Sequence, residues 1–215
     1  MLDALRVVGR AFSLWWHELL LLTVLNLAWL ALQIPIVTGP PATAAMYAIA
    51  RRVADGATVG PKDAWFALRQ MFWPAWGWGL LNGILAVVVV SNFAAYGSAP
   101  GLVWATLRLA WAAIAALWFA INLFYWPFWL AQADRRLVLT LRNASLFLFK
   151  TPGFALTLVV LSTMLIVISV GVTLPLAVGL IAWLALIGVL AVDVALKRPG
   201  MVTADADADI ELDAL

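Results

Sequence analysis

Five long apolar stretches alternate with polar segments along the chain, at about 14–37, 76–96, 109–132, 154–174 and 176–196. Each comes close to or exceeds the roughly 20 mostly apolar residues that a helix needs to cross the hydrocarbon core of a bilayer. Their apolar positions are continuous rather than alternating, which indicates helices and not the strands of a membrane barrel. The pattern predicts an all-α fold: a polytopic transmembrane helical bundle of about five spans, forming a single domain over residues 1–200.

Two shorter segments follow the first stretch, at about 42–54 and 61–73, and they mix helix-forming, basic and aromatic residues. This composition is typical of amphipathic helices that lie in the membrane interface. Pro175 separates the last two apolar stretches and predicts a tight hairpin turn between them. Residues 201–215 alternate acidic with small residues, and we expect them to form a disordered tail.

The overall composition supports a membrane location. Of the 215 residues, 66% are apolar and 11% are charged, whereas soluble domains carry roughly 25% charged residues. A soluble protein with so few polar side chains could not cover its surface. The net charge is +2, and most basic residues lie beside apolar stretches. Their placement favours contact with anionic membrane lipid rather than with nucleic acid.

The basic residues also predict an orientation. They concentrate in the segments 38–74 and 133–153 and after the last stretch, and the positive-inside rule places all three in the cytoplasm. Five crossings then put the N-terminus outside and the C-terminus inside, in the cell's inner (plasma) membrane. Arg6 and Arg10 would lie outside, against the rule. The alternative is a first stretch that bends back as a re-entrant hairpin near Pro35; we prefer a full crossing.

Polar residues are rare inside the predicted spans, and three asparagines, Asn26, Asn82 and Asn122, lie on different predicted helices. This distribution is typical of hydrogen bonds between helices, each worth about 1 kcal/mol. The alternative is a ligand or translocation site between helices, lined by these asparagines together with Arg108. Both interpretations stay open at the level of the sequence.

Aromatic residues recur at every seventh position of the third stretch, where Trp104, Trp111, Trp118 and Tyr125 form one stripe along the predicted helix. We expect the stripe to pack against a neighbouring helix or lipid; alternatively, it is a stacking surface for a sugar ring or a lipid headgroup. Arg108 lies on the same stripe, and an arginine in a membrane helix is a candidate functional residue. It lies near the start of the span, so we expect its side chain to reach the outer interface, with anion binding as the alternative.

The sequence lacks the signatures of enzymes and of metal or cofactor sites. The chain has one histidine, His17, and no cysteine, and no zinc-protease, phosphate-loop or nucleophile-elbow motif occurs. The charged residues form no convincing carboxylate pair for acid–base chemistry. Asp193, near the end of the last span, is expected to pair with Lys197 four positions later. We therefore expect a non-enzymatic protein without a cofactor or a bound metal.

The segment NLAWLALQIPIVTGPPATAAMY, residues 26–47, resembles the signature of the YesL-like family, bacterial membrane proteins that carry domain of unknown function 624. The matching positions are Asn26, Trp29, Pro35, Val37, Thr38, Pro41, Ala42, Ala44, Ala45 and Arg52. The family's usual Thr-x-Gly-Pro order is replaced here by Thr-Gly-Pro-Pro, so the turn geometry is expected to differ. The resemblance implies a several-pass membrane protein without an established activity, of a kind often associated with carbohydrate uptake.

The turn within this segment is a further candidate site. Pro35 removes a helix hydrogen bond, and the freed backbone carbonyls, with Thr38, could shape a pocket at the cytoplasmic side. The alternative, which we prefer, is a helix break that only redirects the chain.

Together these features predict a non-enzymatic accessory or structural component of a membrane complex, with membrane lipid and other membrane-protein subunits, such as a sugar transporter, as partners. The alternative is a small transporter or a ligand-binding membrane receptor with a polar site between its helices.

Overall fold

The computed structural model describes residues 2–197, so the predicted acidic tail over 201–215 lies outside the described residues. Between residues 2 and 197 the chain forms helices and no strand. The helices are α1 (Leu2–His17), α2 (Leu19–Gln33), α3 (Gly39–Ala54), α4 (Pro61–Gln70), α5 (Phe72–Tyr96), α6 (Leu102–Ala131), α7 (Leu137–Lys150), α8 (Pro152–Val172), α9 (Leu174–Val178) and α10 (Leu180–Leu196). The predicted all-α fold class is confirmed.

Three helices, α5, α6 and α8, are long and apolar enough to cross a membrane. They correspond to the second, third and fourth predicted spans. Helices α1 and α2 together form a fourth candidate, but they meet at a bend of 95°. The described residues thus provide three spans, or four if the bent pair counts as one, rather than the five predicted.

The predicted first span, 14–37, is divided by the bend at Glu18. Helix α1 is amphipathic: it buries Ala4, Val7 and Ala11 along one face and leaves Arg6 exposed on another. Helix α2 carries no charged residue. If α1 continued straight into α2, the helix face that carries Arg6 would share one axis with the apolar surface of α2. The bend separates the polar face of α1 from the apolar helix α2.

The predicted fifth span is helix α10, and it forms the centre of the fold rather than a lipid-facing crossing. Thirteen of its 17 residues are buried inside the protein. It packs against α1, α3 and α6. At 17 residues it is about 25 Å long, shorter than the roughly 30 Å hydrocarbon core. The turn predicted at Pro175 is a short helix, α9, between α8 and α10.

The segment predicted as a first interfacial helix, 42–54, is also a core element. Helix α3 covers it, and ten of its 16 residues are buried between α10, α2, α4 and α5. The alanines that give this segment its helix propensity serve here as small side chains that allow close packing. Helix α4 covers most of the second segment and keeps an exposed aromatic face, with Trp65 and Phe66 more than half exposed.

Two glycines bring helices into close contact. A β-carbon on Gly188 of α10 would lie 2.9 Å from both the Leu123 carbonyl oxygen and Pro127 Cγ of α6. Pro127 cannot donate a hydrogen bond to the Leu123 carbonyl four residues earlier, so α10 passes over the notch in α6 that the proline creates. A β-carbon on Gly79 of α5 would lie 2.6 Å from Pro40 Cγ of α3.

Candidate functional site

The turn between α2 and α3 carries the Pro-Ile-Val-Thr pattern of residues 35–38, and its backbone is strained. Ile36 has a positive φ of 61°, a region that β-branched residues rarely adopt. The Thr38 hydroxyl donates to the Leu32 carbonyl at 2.6 Å, and the Val37 amide donates to the Pro35 carbonyl at 2.6 Å. Thr38 and Pro35 therefore close the turn on itself, in line with a helix break that redirects the chain.

A second contact fixes the angle between the two helices that this turn joins. The Trp29 indole Nε1 donates to the Thr43 hydroxyl at 3.0 Å, and that hydroxyl donates to the Gly39 carbonyl at 3.1 Å. A β-carbon on Gly39 would lie 2.8 Å from Gln33 Oε1, so a side chain there would displace the Gln33 amide. Trp29 and the turn residues thus act together to hold α3 against α2.

Asn26 is fully buried and joins α2 to the break between α9 and α10. Its amide nitrogen lies 2.8 Å from the carbonyl oxygens of both Leu176 and Ala177. Its amide oxygen accepts a hydrogen bond from the Ile181 backbone N–H at 3.1 Å. A helix end leaves backbone groups without partners inside a protein or bilayer, and Asn26 supplies partners for the end of α9 and the start of α10 at once.

Asn82 and Asn122 form a reciprocal arrangement that we call the Trp–Asn clasp, made of these two residues with Trp78 and Trp118. The Trp78 indole of α5 donates to Asn122 Oδ1 of α6 at 2.7 Å, and the Trp118 indole of α6 donates to Asn82 Oδ1 of α5 at 2.9 Å. Each asparagine also donates to the carbonyl of the tryptophan four residues earlier, at 2.8 and 2.9 Å. The two spans are therefore joined by two matching bonds.

Arg108 stabilises the end of α5. Its Nη1 lies 3.0, 3.3 and 2.9 Å from the carbonyl oxygens of Tyr96, Gly97 and Ala99. A cation at a helix C-terminus is favourable because the unsatisfied carbonyls there carry partial negative charge. The side chain thus points toward the loop between α5 and α6, and its Nη1 bonds to backbone carbonyls of that loop.

The four residues of the predicted aromatic stripe differ in burial and in the residues that they contact. Trp104 is 40% exposed and lies against Tyr96, with ring centroids 5.5 Å apart. Trp111 is half-buried. Trp118 belongs to the clasp, and Tyr125 is buried against Trp78 at a centroid distance of 6.2 Å. The stripe therefore runs from an exposed end into the core and does not form one continuous stacking surface.

The predicted polar residues do not converge on one site. Asn82 and Asn122 meet in the clasp, whereas Asn26 lies at the α9–α10 break and Arg108 at the end of α5. Pro35 and Thr38 close a different turn. The polar cavity that a transporter or receptor would need is therefore not built from these side chains.

Asp193 forms an ion pair with Arg51 of α3 and not with the predicted partner Lys197. The side chains of Arg51 and Asp193 are about one third and one quarter exposed. Arg51 also contacts Asp55 at 3.0 Å. The next residue, Arg52, lies 2.7 Å from Asp63, whose carboxylate also accepts from the Gly60 N–H at 2.8 Å. These bonds from Gly60 and Arg52 hold the pKa of Asp63 below its usual range.

Two apolar cavities lie beside helices α2 and α3. One, of about 240 Å³, lies between α2, α3 and α4 and is lined by residues including Leu25, Met46 and Trp65. The other is a groove of about 610 Å³ between the α2–α3 turn and α5, with Gln33, Gly79 and Gly83 among its walls. Among the residues that the structure describes, no group of three or more histidine, aspartate or glutamate side chains lies close enough to hold a metal ion.

Residues 22–93 match the family model described as protein of unknown function, DUF624. The chain carries a DUF624 segment. This confirms the resemblance found in the sequence. The DUF624 segment comprises most of α2, all of α3 and α4, and most of α5, so it includes Asn26, the turn and one half of the Trp–Asn clasp. No curated protein and no solved structure matches the chain.

The sequence analysis did not identify the residues that bond to the predicted polar side chains. Trp78 and Trp118 each precede an asparagine by four residues, in WGLLN and WFAIN, and this repeated spacing was a readable signal for the clasp. The pairing of Arg51 with Asp193 joins residues 142 positions apart, and nothing in the local pattern indicates it.

Proposed function

We propose that this integral membrane protein is a non-enzymatic accessory or structural subunit of a larger membrane complex. The partner class is a polytopic membrane transporter, with a carbohydrate-uptake system as the candidate that the family resemblance suggests. The strongest support comes from helix α5. Its most apolar stretch of 18 residues contains no residue that is buried inside the chain.

The face of α5 beside the α2–α3 turn is shaped for another helix. Leu80, Ile84 and Val87 are each more than half exposed there and border the groove that Gly79 and Gly83 also line. A β-carbon on Gly83 would have nothing within 4 Å. Small residues at such positions let a neighbouring helix approach closely, and this contact replaces the hydrophobic effect as the source of association in lipid.

The polar groups of the spans favour a structural role over transport. Asn26, Asn82, Asn122 and Arg108 are all engaged in hydrogen bonds that join parts of the chain to one another. A transporter would need some of these groups to face a substrate path near the membrane midplane. The small-transporter or receptor alternative therefore receives less support from the geometry.

The orientation remains part of the proposal: we place the basic segments that include Arg52 and Arg136 in the cytoplasm and the loop between α5 and α6 outside. The C-terminus is then cytoplasmic as well, because α10, although buried and short, returns from the outer end of α8 to the basic side, where its Asp193 pairs with Arg51. The host membrane is the inner (plasma) membrane.

The test uses the full chain, extracted from native membranes with a mild detergent and analysed by native mass spectrometry. We expect the wild-type chain to co-purify with a second membrane protein. Because a β-carbon at Gly83 would have nothing within 4 Å, Gly83→Leu adds bulk to the groove and should release the partner. Gly171→Leu is the matched control, because its β-carbon also has nothing within 4 Å but lies on α8.

A wild-type chain recovered only by itself would contradict the subunit proposal. A partner that stays bound to Gly83→Leu as well as to Gly171→Leu would contradict the docking face on α5.

A further inference from the structure

Helix α4 carries two cations on its outer face. Lys62 and Arg69 are exposed, and neither forms an ion pair among the residues that the structure describes. The acidic residue of α4, Asp63, is bonded to Arg52 and to the Gly60 N–H, so its charge is already paired. Within the described chain, the outer face of α4 therefore keeps two positive charges without a counter-charge.

Aromatic side chains lie beside these cations. Trp65 and Phe66 are 59% and 65% exposed. Residues three or four positions apart lie on the same face of a helix, so Lys62, Trp65 and Arg69 form one stripe. The Arg69 Cζ atom lies over the Trp65 ring, 5.6 Å from its centroid. This contact holds the guanidinium beside the indole, and the N–H groups at the edge of the guanidinium stay available to an anion.

The same tryptophan forms part of the wall of the cavity of about 240 Å³ between α2, α3 and α4. Pro61, Ala64 and Leu68 of α4 also line this cavity, and all of its lining residues are apolar. Trp65 and Val24, on opposite sides of the cavity in α4 and α2, are each more than half exposed. The cavity therefore opens between α2 and α4, directly beside the basic stripe, and its walls suit a hydrocarbon chain.

Helix α4 also lies at the end of a candidate membrane span. Only Met71 separates it from α5. Trp73, in the first turn of α5, is 80% exposed, and tryptophan is favoured at the boundary between hydrocarbon and water. The basic stripe is therefore at the level of the lipid headgroups.

Together, the stripe and the cavity define the chemistry of a ligand. Arginine and lysine bind phosphate oxygens through charge-assisted hydrogen bonds. A zwitterionic headgroup would bring its own cation toward Lys62 and Arg69, so a headgroup with a net negative charge fits better. A soluble anion would leave the apolar cavity unused, whereas a phospholipid supplies the anion and the hydrocarbon in one molecule.

We propose that α4 binds one anionic phospholipid. Its phosphate lies between Lys62 and Arg69 beside the Trp65 ring, and one acyl chain enters the cavity between Val24 and Trp65. At about 240 Å³ the cavity is below the usual range of about 300–1,000 Å³ for drug-sized ligands, so it takes part of one chain and the remainder stays in the bilayer. This site is independent of the subunit proposal, whose docking face lies on α5.

The test measures the thermal unfolding of the full chain in a neutral detergent during titration with dioleoylphosphatidylglycerol. This anionic lipid should raise the unfolding temperature in a saturable manner. Dioleoylphosphatidylcholine has the same chains and no net charge, so it should bind about ten-fold more weakly or less. Glycerol 3-phosphate, which has the anion without the chains, should not stabilise the protein at the same concentrations.

Two results of this titration would overturn the proposal. Equal affinity for the two lipids would leave the basic stripe to an acidic protein segment. Equal stabilisation by glycerol 3-phosphate would assign the stripe to a free phosphate and leave the cavity without a role.

Lys62→Gln and Arg69→Gln each remove one cation from the exposed stripe. Each should weaken the affinity for the anionic lipid by about five-fold, the contribution of one basic residue near a membrane surface, and leave the affinity for phosphatidylcholine unchanged. Arg10→Gln is the matched control, because Arg10 is an exposed cation of α1, a helix that does not line the cavity. An equal loss of affinity in Arg10→Gln would indicate general charge attraction and overturn the site.

Ala28→Leu tests the cavity separately. Ala28 is an exposed residue of α2 that lines the cavity, whereas Ala31, one turn later, is exposed and does not line it. Ala28→Leu should weaken the affinity for both lipids by about five-fold or more and preserve the preference for the anionic one, and Ala31→Leu should bind like the wild type. Wild-type affinity in Ala28→Leu would overturn the cavity as the chain site. Because both alanines are exposed, neither variant should change the unfolding temperature without lipid, and this separates binding from folding.

Discussion

The sharpest test of the fold is Asn26→Leu, which keeps the approximate size of the side chain and removes all of its hydrogen bonds. Two backbone carbonyls, of Leu176 and Ala177, and the Ile181 N–H would lose their partner inside the protein. Each lost bond is worth about 1 kcal/mol, and a buried group left unsatisfied costs about 1–3 kcal/mol. We expect the free energy of unfolding to fall by about 3 kcal/mol or more.

The assay is thermal unfolding of the detergent-solubilised chain, followed by intrinsic tryptophan fluorescence. For a chain of this size, about 2–4 °C per kcal/mol predicts a decrease of about 6–12 °C in Tm. The matched control is Asn92→Leu on α5, since that amide bonds only to Val88 and Tyr96 of its own helix. If Asn26→Leu melts no lower than Asn92→Leu, Asn26 does not hold the α9–α10 break.

Three further predictions concern the clasp, the pH response and the orientation. Trp78→Phe and Trp118→Phe each remove one interhelical bond, so each should lower the free energy of unfolding by about 1 kcal/mol; wild-type unfolding curves for both would exclude a bonding role. Asp63 has a depressed pKa in the folded chain, so its contribution is present at neutral pH and is lost as the pH falls through that pKa. Acid melting should therefore destabilise the wild type more than Asp63→Asn, and parallel acid-melting curves would refute this. The chain lacks cysteine, so a membrane-impermeant maleimide should label Ser98→Cys in intact cells but Ala57→Cys only after permeabilisation; labelling of both from one side would overturn the orientation.

The sequence predicts helices well here because long apolar runs leave few other ways to satisfy the backbone. It does not predict which helices face lipid, because a lipid-facing helix and a core helix are equally apolar. Helices α5 and α10 show this: α5 buries one residue, Ala75, whereas α10 buries most of its length. The small residues of α10, at positions 182, 185, 188, 191 and 195, are all buried. The spacing of these small residues, every three or four positions, indicates that other helices pack closely against α10.

The bend at Glu18 and the ion pair of Arg51 with Asp193 had no comparable signal. Both depend on how distant helices assemble. His17 and Glu18 are polar residues within a predicted apolar stretch, but the 95° angle depends on the packing of α1 on α8 and α10. Long-range pairing of this kind is a property of the folded chain rather than of a sequence window.

The DUF624 segment supplies several of the contacts that hold the fold together. Asn26, Trp29 and Thr38 each bond to another part of the chain and so fix α2 against α3 and against the α9–α10 break. The variants most informative about folding are therefore in α2.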